Sequence, residues 1–320
     1  MKRALKWALP LIGIGILFLL LLGWQRDLDP ADLQAKYTTS ASQFIDVGGG
    51  LLVHARDEGK GDGPILVLLH GSNASLQTWE PWVKRLETKY RVISLDQIGH
   101  GLTGPNPSGD YSTAAFVDTL DRALANIGVE HFVLAGNSMG GGVAWNYALA
   151  HPDKVNALIL VDAGGAPEVK TKSLPIGFRI AMMPGVNRIA EVITPRFLVK
   201  RSLQQSLSNQ LVITDRMIDR YWELLLYPGN RRATILRFTA KRTPTDPAAL
   251  GKLAMPVLIL WGEEDKLIPV ASAHWFAKAL PQAKLIIYPG IGHAPMEEAA
   301  DQSAGDVDAF LSALAVPSQK

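Results

Sequence analysis

Residues 132–150 read FVLAGNSMGGGVAWNYALA and join a strand-like run to a helix-like one through a turn centred on a serine. The apolar run 132–135 predicts a short buried strand, and residues 141–150 are compatible with a helix. Between them, residues 136–140 fit the pattern G-x-S-x-G, with Ser138 at its centre. A sharp strand-to-helix turn needs small flanking residues, because its backbone and the following helix approach closely. This order of segments predicts that the hydroxyl of Ser138 is presented as a nucleophile.

The rest of the chain alternates strand-like and helix-like segments in the same way. Residues 43–47 and 51–57 flank three consecutive glycines and predict an antiparallel hairpin at one edge of a sheet. Helical patterns such as residues 116–127 separate the other strand-like runs, so these strands are predicted to be mostly parallel. The apolar runs that predict them are residues 65–69, 91–95, 132–135, 158–161, 257–261 and 285–288.

A helix-rich insertion interrupts the alternation between Gly165 and Ala254. Met, Arg, Leu and Trp recur there at helical spacings, prolines punctuate the stretch, and no strong strand pattern is present. A segment of roughly 85 residues is far too long for a structureless loop in a compact domain. We therefore predict an inserted helical cap.

Several motifs, taken together and in order, resemble those of the α/β-hydrolase family. The resemblance covers roughly residues 43 to 315 and implies an eight-stranded, mostly parallel sheet flanked by helices, with the cap inserted after the sixth strand. The expected organisation is a membrane segment at 1–25, a tether at 26–40, the hydrolase core at 41–165 and 251–316, and the cap at 166–250. The motifs are His70-Gly71, Asp96-x-x-Gly99-x-Gly101, residues 136–141, Trp261-Gly262-Glu263-Glu264-Asp265 and Gly292-His293.

A serine hydroxyl is a weak nucleophile at neutral pH, so it needs a base, and the base needs an orienting carboxylate. The resemblance implies His293, in the loop after the last strand, as the base and Asp265 as the acid. Asp162, after the preceding core strand, is the alternative acid, because some family members carry the acid there. Other histidines are expected at the surface or at strand ends: His54, His131, His151 and His274.

Hydrolysis through a tetrahedral intermediate also requires hydrogen-bond donors for the developing oxyanion. The family pattern implies the backbone N–H groups of Met139, which follows the nucleophile, and of Ser72, in the loop after the third strand. Asn73 and Gly71 are alternatives to Ser72 as the second donor.

The N-terminal 25 residues predict a membrane anchor. Lys2, Arg3 and Lys6 precede an uncharged, apolar run over residues 7–25. As a helix rising about 1.5 Å per residue, this run nearly matches a hydrocarbon core of about 30 Å, so it predicts a transmembrane helix. The basic start favours a cytoplasmic N-terminus at a bacterial inner membrane, with the catalytic part in the periplasm. A cleaved leader that releases a secreted protein is the alternative.

Composition excludes several other classes of protein. The 320 residues include no cysteine, which rules out disulfides, thiolate nucleophiles and iron–sulfur ligation. The net charge is only +2, and basic residues of the N-terminal segment account for it, so nucleic-acid binding is not supported. No pair of histidines has the spacing of a helical zinc motif, and we predict neither a metal nor another cofactor. Composition does not decide the oligomeric state.

These observations leave three hypotheses for function. The first is a serine hydrolase that cleaves small to medium carboxylic esters, a small-molecule substrate, through an acyl-enzyme. The second is a carbon–carbon bond hydrolase of aromatic ring-cleavage products, a group that shares the Ser-Met-Gly-Gly turn but usually has a glycine-rich loop where this chain has residues 72–75. The third is a non-catalytic binding module, which would be expected to lack one of the three reacting residues.

Overall fold

The computed structural model describes residues 24–167, 174–240 and 246–314. Eight strands form one sheet: β1 (Ser42–Asp46), β2 (Leu52–Gly59), β3 (Ile65–Leu69), β4 (Arg91–Leu95), β5 (Phe132–Asn137), β6 (Val155–Val161), β7 (Val257–Gly262) and β8 (Lys284–Tyr288). Their order is β1-β2-β4-β3-β5-β6-β7-β8. β2 pairs antiparallel with β1 and β4, whereas the other neighbouring strands are parallel. The predicted eight-stranded, mostly parallel sheet is therefore confirmed.

Helices cover both faces of this sheet and also occupy the interval between β6 and β7. In chain order they are α1 (Pro30–Tyr37), α2 (Glu80–Leu86), α3 (Thr113–Asn126), α4 (Met139–Ala150), α5 (Ile176–Met182), α6 (Val186–Ala190), α7 (Arg196–Ser206), α8 (Asp215–Leu225), α9 (Asn230–Thr239), α10 (Pro247–Leu250), α11 (Ala271–Ala279), α12 (Pro295–Glu298) and α13 (Ala300–Leu314). Short 3₁₀ turns lie at Leu76–Trp79 and Gln210–Val212.

The side chains of β3 alternate between two apolar layers, one on each face of the sheet. Ile65, Val67 and Leu69 pack in the layer formed with α3, α4 and α11. Leu66 and Leu68 pack in the other layer, with α2 and α13. Successive side chains of a strand point to opposite faces, so a strand covered on both sides needs an uninterrupted apolar run. This requirement explains why the central strands were recognisable in the sequence.

We refer to residues 174–250, between β6 and β7, as the cap. Where the structure describes it, the cap consists of helices α5 to α10. Its Leu203, Leu207, Met217 and Ile218 are buried in the same apolar layer as α2 and α13. The cap is thus packed onto the core, while the domain limits given above remain predictions.

Residues 24–37, which we call the strap, lie along the cap. Trp24 forms an isolated antiparallel bridge with Ile193. Farther along, Asp27 Oδ1 accepts a hydrogen bond from Arg231 Nη2 at 2.6 Å, and α1 follows. The segment predicted as a tether therefore contains a helix and contacts the cap.

The predicted transmembrane helix over residues 1–25 lies outside the described residues, apart from Trp24 and Gln25. Among the helices of the described ranges, none has both the length and the apolar character needed to cross a bilayer.

Candidate active site

Ser138 occupies a strained turn between β5 and α4. Its φ of 54° and ψ of −116° are unusual for an L-residue, and such a conformation costs on the order of 1–3 kcal/mol. Gly136 and Gly140 make the turn possible, because a Cβ on Gly136 would lie 2.3 Å from the Gly140 carbonyl oxygen. A Cβ on Gly140 would lie 2.3 Å from the carbonyl oxygen of Leu69. The surrounding backbone thus fixes the serine in this conformation.

The loops after β7 and β8 bring Asp265 and His293 together. His293 Nδ1 lies 2.7 Å from Asp265 Oδ2, and both residues are buried. Asp265 Oδ1 accepts hydrogen bonds from the backbone N–H groups of Leu267, at 2.7 Å, and Ile268, at 3.0 Å. These bonds fix the carboxylate, which favours a proton on Nδ1 of the imidazole and leaves Nε2 free to act as a base.

Ser138 and His293 line the same cavity, and Asn137 holds their two loops together. Asn137 Nδ2 donates to the His293 carbonyl at 3.1 Å and to the Val161 carbonyl at 3.2 Å. The structure therefore places Ser138, Asp265 and His293 at the carboxyl ends of parallel strands, the usual position of sites in such sheets. The sequence analysis did not identify Asn137, although it stands beside the nucleophile in the quoted motif.

The buried carboxylate of Glu298, also missed from the sequence, joins the histidine loop to the cap. Glu298 Oε2 accepts from the backbone N–H groups of Ser208 at 2.8 Å, Asn209 at 2.9 Å and Gly292 at 3.1 Å. Glu298 Oε1 accepts from Ala294 N at 3.1 Å. Hydrogen bonds to a charged acceptor are among the strongest in proteins, and here they hold the residues on both sides of the imidazole.

Asp162, the alternative acid, lies close to Asp265 without taking its place. Asp162 Oδ1 accepts from Gly262 N at 3.0 Å, whereas the imidazole of His293 pairs with Asp265. Burial, followed by the negative charge of Asp265, raises the pKa of Asp162 well above its usual value. Burial thus disfavours the charged form of Asp162, and the carboxyl group that pairs with the imidazole is that of Asp265.

Within the described ranges, the two buried aspartates and His293 also have donor atoms that lie close enough together for a metal ion. Ligand atoms of Asp162, Asp265 and His293 lie within 4.8 Å of one another. The hydrogen bond between His293 Nδ1 and Asp265, and that from Gly262 N to Asp162, account for this proximity. The absence of a metal cofactor stays a prediction from the sequence.

The predicted oxyanion donors, Ser72 and Met139, both face the cavity. Met139 is the first residue of α4, and the N–H groups at a helix start carry partial positive charge. In the part of the chain that the structure describes, neither of these backbone N–H groups donates to a protein acceptor. Their role as oxyanion donors remains a prediction.

The cavity has a volume of about 1000 Å³ and lies between the strand ends and the cap. Apolar side chains of the cap, among them Phe178, Leu198 and Phe238, line it together with the polar groups of Ser138 and His293. Apolar walls with a few polar groups are typical of sites for small organic ligands.

Two other buried histidines have structural hydrogen-bond partners, and the expectation that His54 lies at the surface or at a strand end was wrong. His54 is fully buried in β2, where its Nδ1 lies 2.7 Å from Asp96 Oδ2. His70 Nδ1 bonds to the Gly71 carbonyl at 2.7 Å, and its Nε2 accepts from the backbone of the loop after β4. Burial lowers the pKa of His70, which keeps this structural imidazole neutral.

Together, the fold and this site define a protein of the hydrolase class, in which a strained serine shares a cavity with a histidine–carboxylate pair under a helical cap. A family model described as the alpha/beta hydrolase fold matches residues 64–300, and the chain belongs to this family.

Two curated relatives illustrate the range of activities in the family. Lipase 1 of Psychrobacter immobilis is 26% identical over 91% of this chain and 88% of its own length. The 2-hydroxymuconate semialdehyde hydrolase of a Pseudomonas strain is 26% identical over 83% of this chain and 92% of its own length. Among solved structures, a bacterial membrane phospholipase A aligns with 98% of this chain and 99% of its own, with 25% identity and a TM-score of 0.75.

Proposed function

We propose that this protein is a serine hydrolase that cleaves carboxylic esters through an acyl-enzyme. The observation that carries this proposal is the 2.7 Å contact between His293 Nδ1 and Asp265 Oδ2, on an imidazole that shares a cavity with Ser138. A serine on a strained turn, with an oriented imidazole beside it, is the arrangement that activates a hydroxyl for acyl transfer.

In the proposed reaction, Ser138 Oγ attacks the ester carbonyl while His293 Nε2 takes the hydroxyl proton. The N–H groups of Ser72 and Met139 stabilise the resulting oxyanion. His293 then donates its proton to the departing alcohol, and a water molecule activated by the same imidazole releases the acid. Asp265 remains ionised throughout and stabilises the imidazolium.

The cavity supports an ester with an apolar acyl chain as the substrate class. Its volume of about 1000 Å³ is at the upper end of the range for ligand sites, so it accommodates medium acyl chains as well as small ones. The similarity to a lipase and to a structure described as a phospholipase A also favours ester substrates.

Fluorophosphonate labelling combined with hydrolysis of p-nitrophenyl esters of increasing chain length tests this proposal. The wild-type protein should be labelled and should hydrolyse the esters, and Ser138→Ala should lose both properties. Ser108→Ala, a change in an exposed loop, is the matched control and should keep both. A folded wild-type protein that is neither labelled nor active would contradict the proposal.

The second candidate function, carbon–carbon bond hydrolysis, is favoured by the similarity to the 2-hydroxymuconate semialdehyde hydrolase. Both reactions could use the same serine and histidine, so only the substrate separates them. A dienoate ring-cleavage product, assayed beside the ester panel, distinguishes the two functions. A kcat/KM for the dienoate that exceeds the values for all esters would replace the ester proposal.

We further propose that residues 1–25 hold the catalytic part at a bacterial inner membrane, on its periplasmic side. The apolar run in the sequence supports this placement, as does the similarity to a structure described as a membrane phospholipase. Activity should sediment with membranes after expression of the whole chain. Activity found only in the soluble fraction would favour a cleaved leader.

A further inference from the structure

The loop after β3, residues 71–75, passes close to the nucleophile. A Cβ on Gly71 would lie 3.1 Å from Ser138 Cβ. Asn73 has a φ of 57°, a left-handed conformation that costs an ordinary residue about 1–2 kcal/mol. The position of the Ser72 N–H therefore depends on contacts that stabilise this conformation.

Those contacts come from helix α9 of the cap. Arg237 Nη1 donates to Ser72 Oγ at 2.5 Å, and Arg237 Nη2 donates to Asn73 Oδ1 at 3.1 Å. Thr234 Oγ1 donates to the same Asn73 oxygen at 3.0 Å. Arg237 and Thr234 are three residues apart, so they share a face of the helix, and both are buried. Among the described residues, α9 supplies the hydrogen bonds that these two loop side chains accept.

We infer that Arg237, assisted by Thr234, is a positioning residue that holds the loop with the Ser72 N–H directed at the reacting carbonyl. The inference rests on the ester hydrolase function proposed above and adds that the cap completes the oxyanion hole. A planar guanidinium suits this task, because its two Nη atoms contact adjacent residues of the loop at fixed separation.

A consequence is that cap position and catalytic rate are coupled. Two other hydrogen bonds of this stretch are made without the cap: Ala74 N donates to the Gly71 carbonyl at 3.3 Å, closing a turn around residues 72 and 73, and Leu76 N donates to Asp96 Oδ1 at 2.8 Å. Neither bond involves the side chain of Ser72 or Asn73. If α9 moves away from the sheet, the loop loses its bonds to the cap, and Asn73 loses the contacts that offset its left-handed conformation. Full oxyanion stabilisation therefore requires the cap in the position seen here.

The test compares Arg237→Met and Thr234→Val with the control Arg231→Met. Arg231 is a buried arginine of the same helix that contacts Asp27 of the strap and not the loop. Active sites are first counted by fluorophosphonate titration to completion, so that kcat refers to folded sites only. We expect kcat of Arg237→Met to fall by about 10- to 100-fold with KM changed less than threefold, because misplacement of an oxyanion donor affects mainly the transition state.

A trifluoromethyl ketone provides the second readout, because addition of Ser138 Oγ to its carbonyl, with the proton passing to His293, forms a hemiketal whose oxyanion occupies the same hole. Its affinity should fall in parallel with kcat in Arg237→Met, while an unreactive ether of the same chain length should bind unchanged. Arg237→Lys should restore part of kcat, since a single ammonium can reach one of the two acceptors. Thr234→Val is nearly isosteric and should show a smaller loss of kcat and of ketone affinity. This variant also keeps the inference testable if Arg237→Met does not fold.

The outcomes separate this inference from the proposed function. A wild-type kcat per titrated site in both Arg237→Met and Thr234→Val would overturn the inference and leave the ester hydrolase proposal standing. A loss of kcat in Arg231→Met equal to that in Arg237→Met would also overturn it, because the effect would then follow from any lost arginine of α9. A wild-type protein with no labelling and no hydrolysis would remove the proposed function, and the inference with it.

Discussion

Replacement of Glu298 by alanine should be among the most destabilising single changes outside the apolar core. The side chain accepts four backbone N–H groups, those of Ser208, Asn209, Gly292 and Ala294. A hydrogen bond to a charged group contributes about 1.5–3 kcal/mol, and a buried donor left unpaired costs about 1–3 kcal/mol. Because water will reach some of these donors in the variant, we expect a loss of about 4 kcal/mol or more in the free energy of unfolding.

Glu298→Gln provides an internal scale for this prediction. Its amide oxygen can replace Oε2 and keep three of the four bonds, while its NH₂ group faces the Ala294 N–H. We expect a loss of about 2 kcal/mol, near the value for one hydrogen bond to a charged group. Glu264→Ala, an exposed carboxylate in the loop after β7, is the matched control and should change stability by less than about 0.5 kcal/mol.

Urea unfolding measures these free energies, and hydrogen exchange at the four amides locates the effect. The amides of Gly292 and Ala294 should exchange faster in Glu298→Ala than in the wild type, and kcat should fall because His293 lies between them. The reasoning is refuted if Glu298→Ala unfolds within about 1 kcal/mol of the wild type, or if its four amides keep their protection.

Three further changes test other parts of the site. Burial and the charge of Asp265 raise the pKa of Asp162, so the folded state binds this proton more tightly than the unfolded state. The stability that this proton contributes is full below about pH 4 and declines as the pH rises through the folded-state pKa of Asp162. Asp162→Asn cannot ionise, so its Tm should rise relative to that of the wild type above the folded-state pKa. Tm curves of the two proteins that stay parallel over this pH range would contradict the prediction. Asp265→Asn should lower kcat by about 10⁴-fold, as expected when the wrong imidazole tautomer is favoured, and a larger loss in Asp162→Asn would reverse the assignment of the acid. Gly140→Ala should destabilise strongly in urea unfolding, because its Cβ would meet the Leu69 carbonyl at 2.3 Å, whereas Gly305→Ala, with open space in α13, should stabilise by about 0.5–1 kcal/mol.

The sheet could be predicted because its strands depend on local sequence. A strand covered on both faces must be apolar at every position, and residues 65–69 and 257–261 meet that condition. The turn at Ser138 was recognisable for a similar reason, since the close approach of backbone permits only glycine at Gly136 and Gly140. These elements could therefore be predicted, because their steric requirements restrict which residues can occupy neighbouring positions of the sequence.

Other features depend on residues that are distant in the chain. His54 is buried because Asp96, from the loop after a neighbouring strand, supplies an acceptor, and no local pattern indicates that pairing. Helix α1 buries only Leu33, so its sequence has no apolar periodicity, although Asp29 caps its first turn. In the sequence, Glu298 resembles an exposed helical glutamate, and only the folded structure brings four backbone donors to it.

The contacts of the strap imply an order of events during synthesis. Asp27 precedes its partner Arg231 by 204 residues, and at about 5–20 residues per second a ribosome needs about 10 to 40 s to make that interval. Strands β1 to β6 are made during this time, whereas Arg231, at the start of α9, is made only at its end. Docking of Asp27 on α9 is therefore a late step of folding, and a nascent chain stalled before residue 231 would leave this carboxylate without its partner.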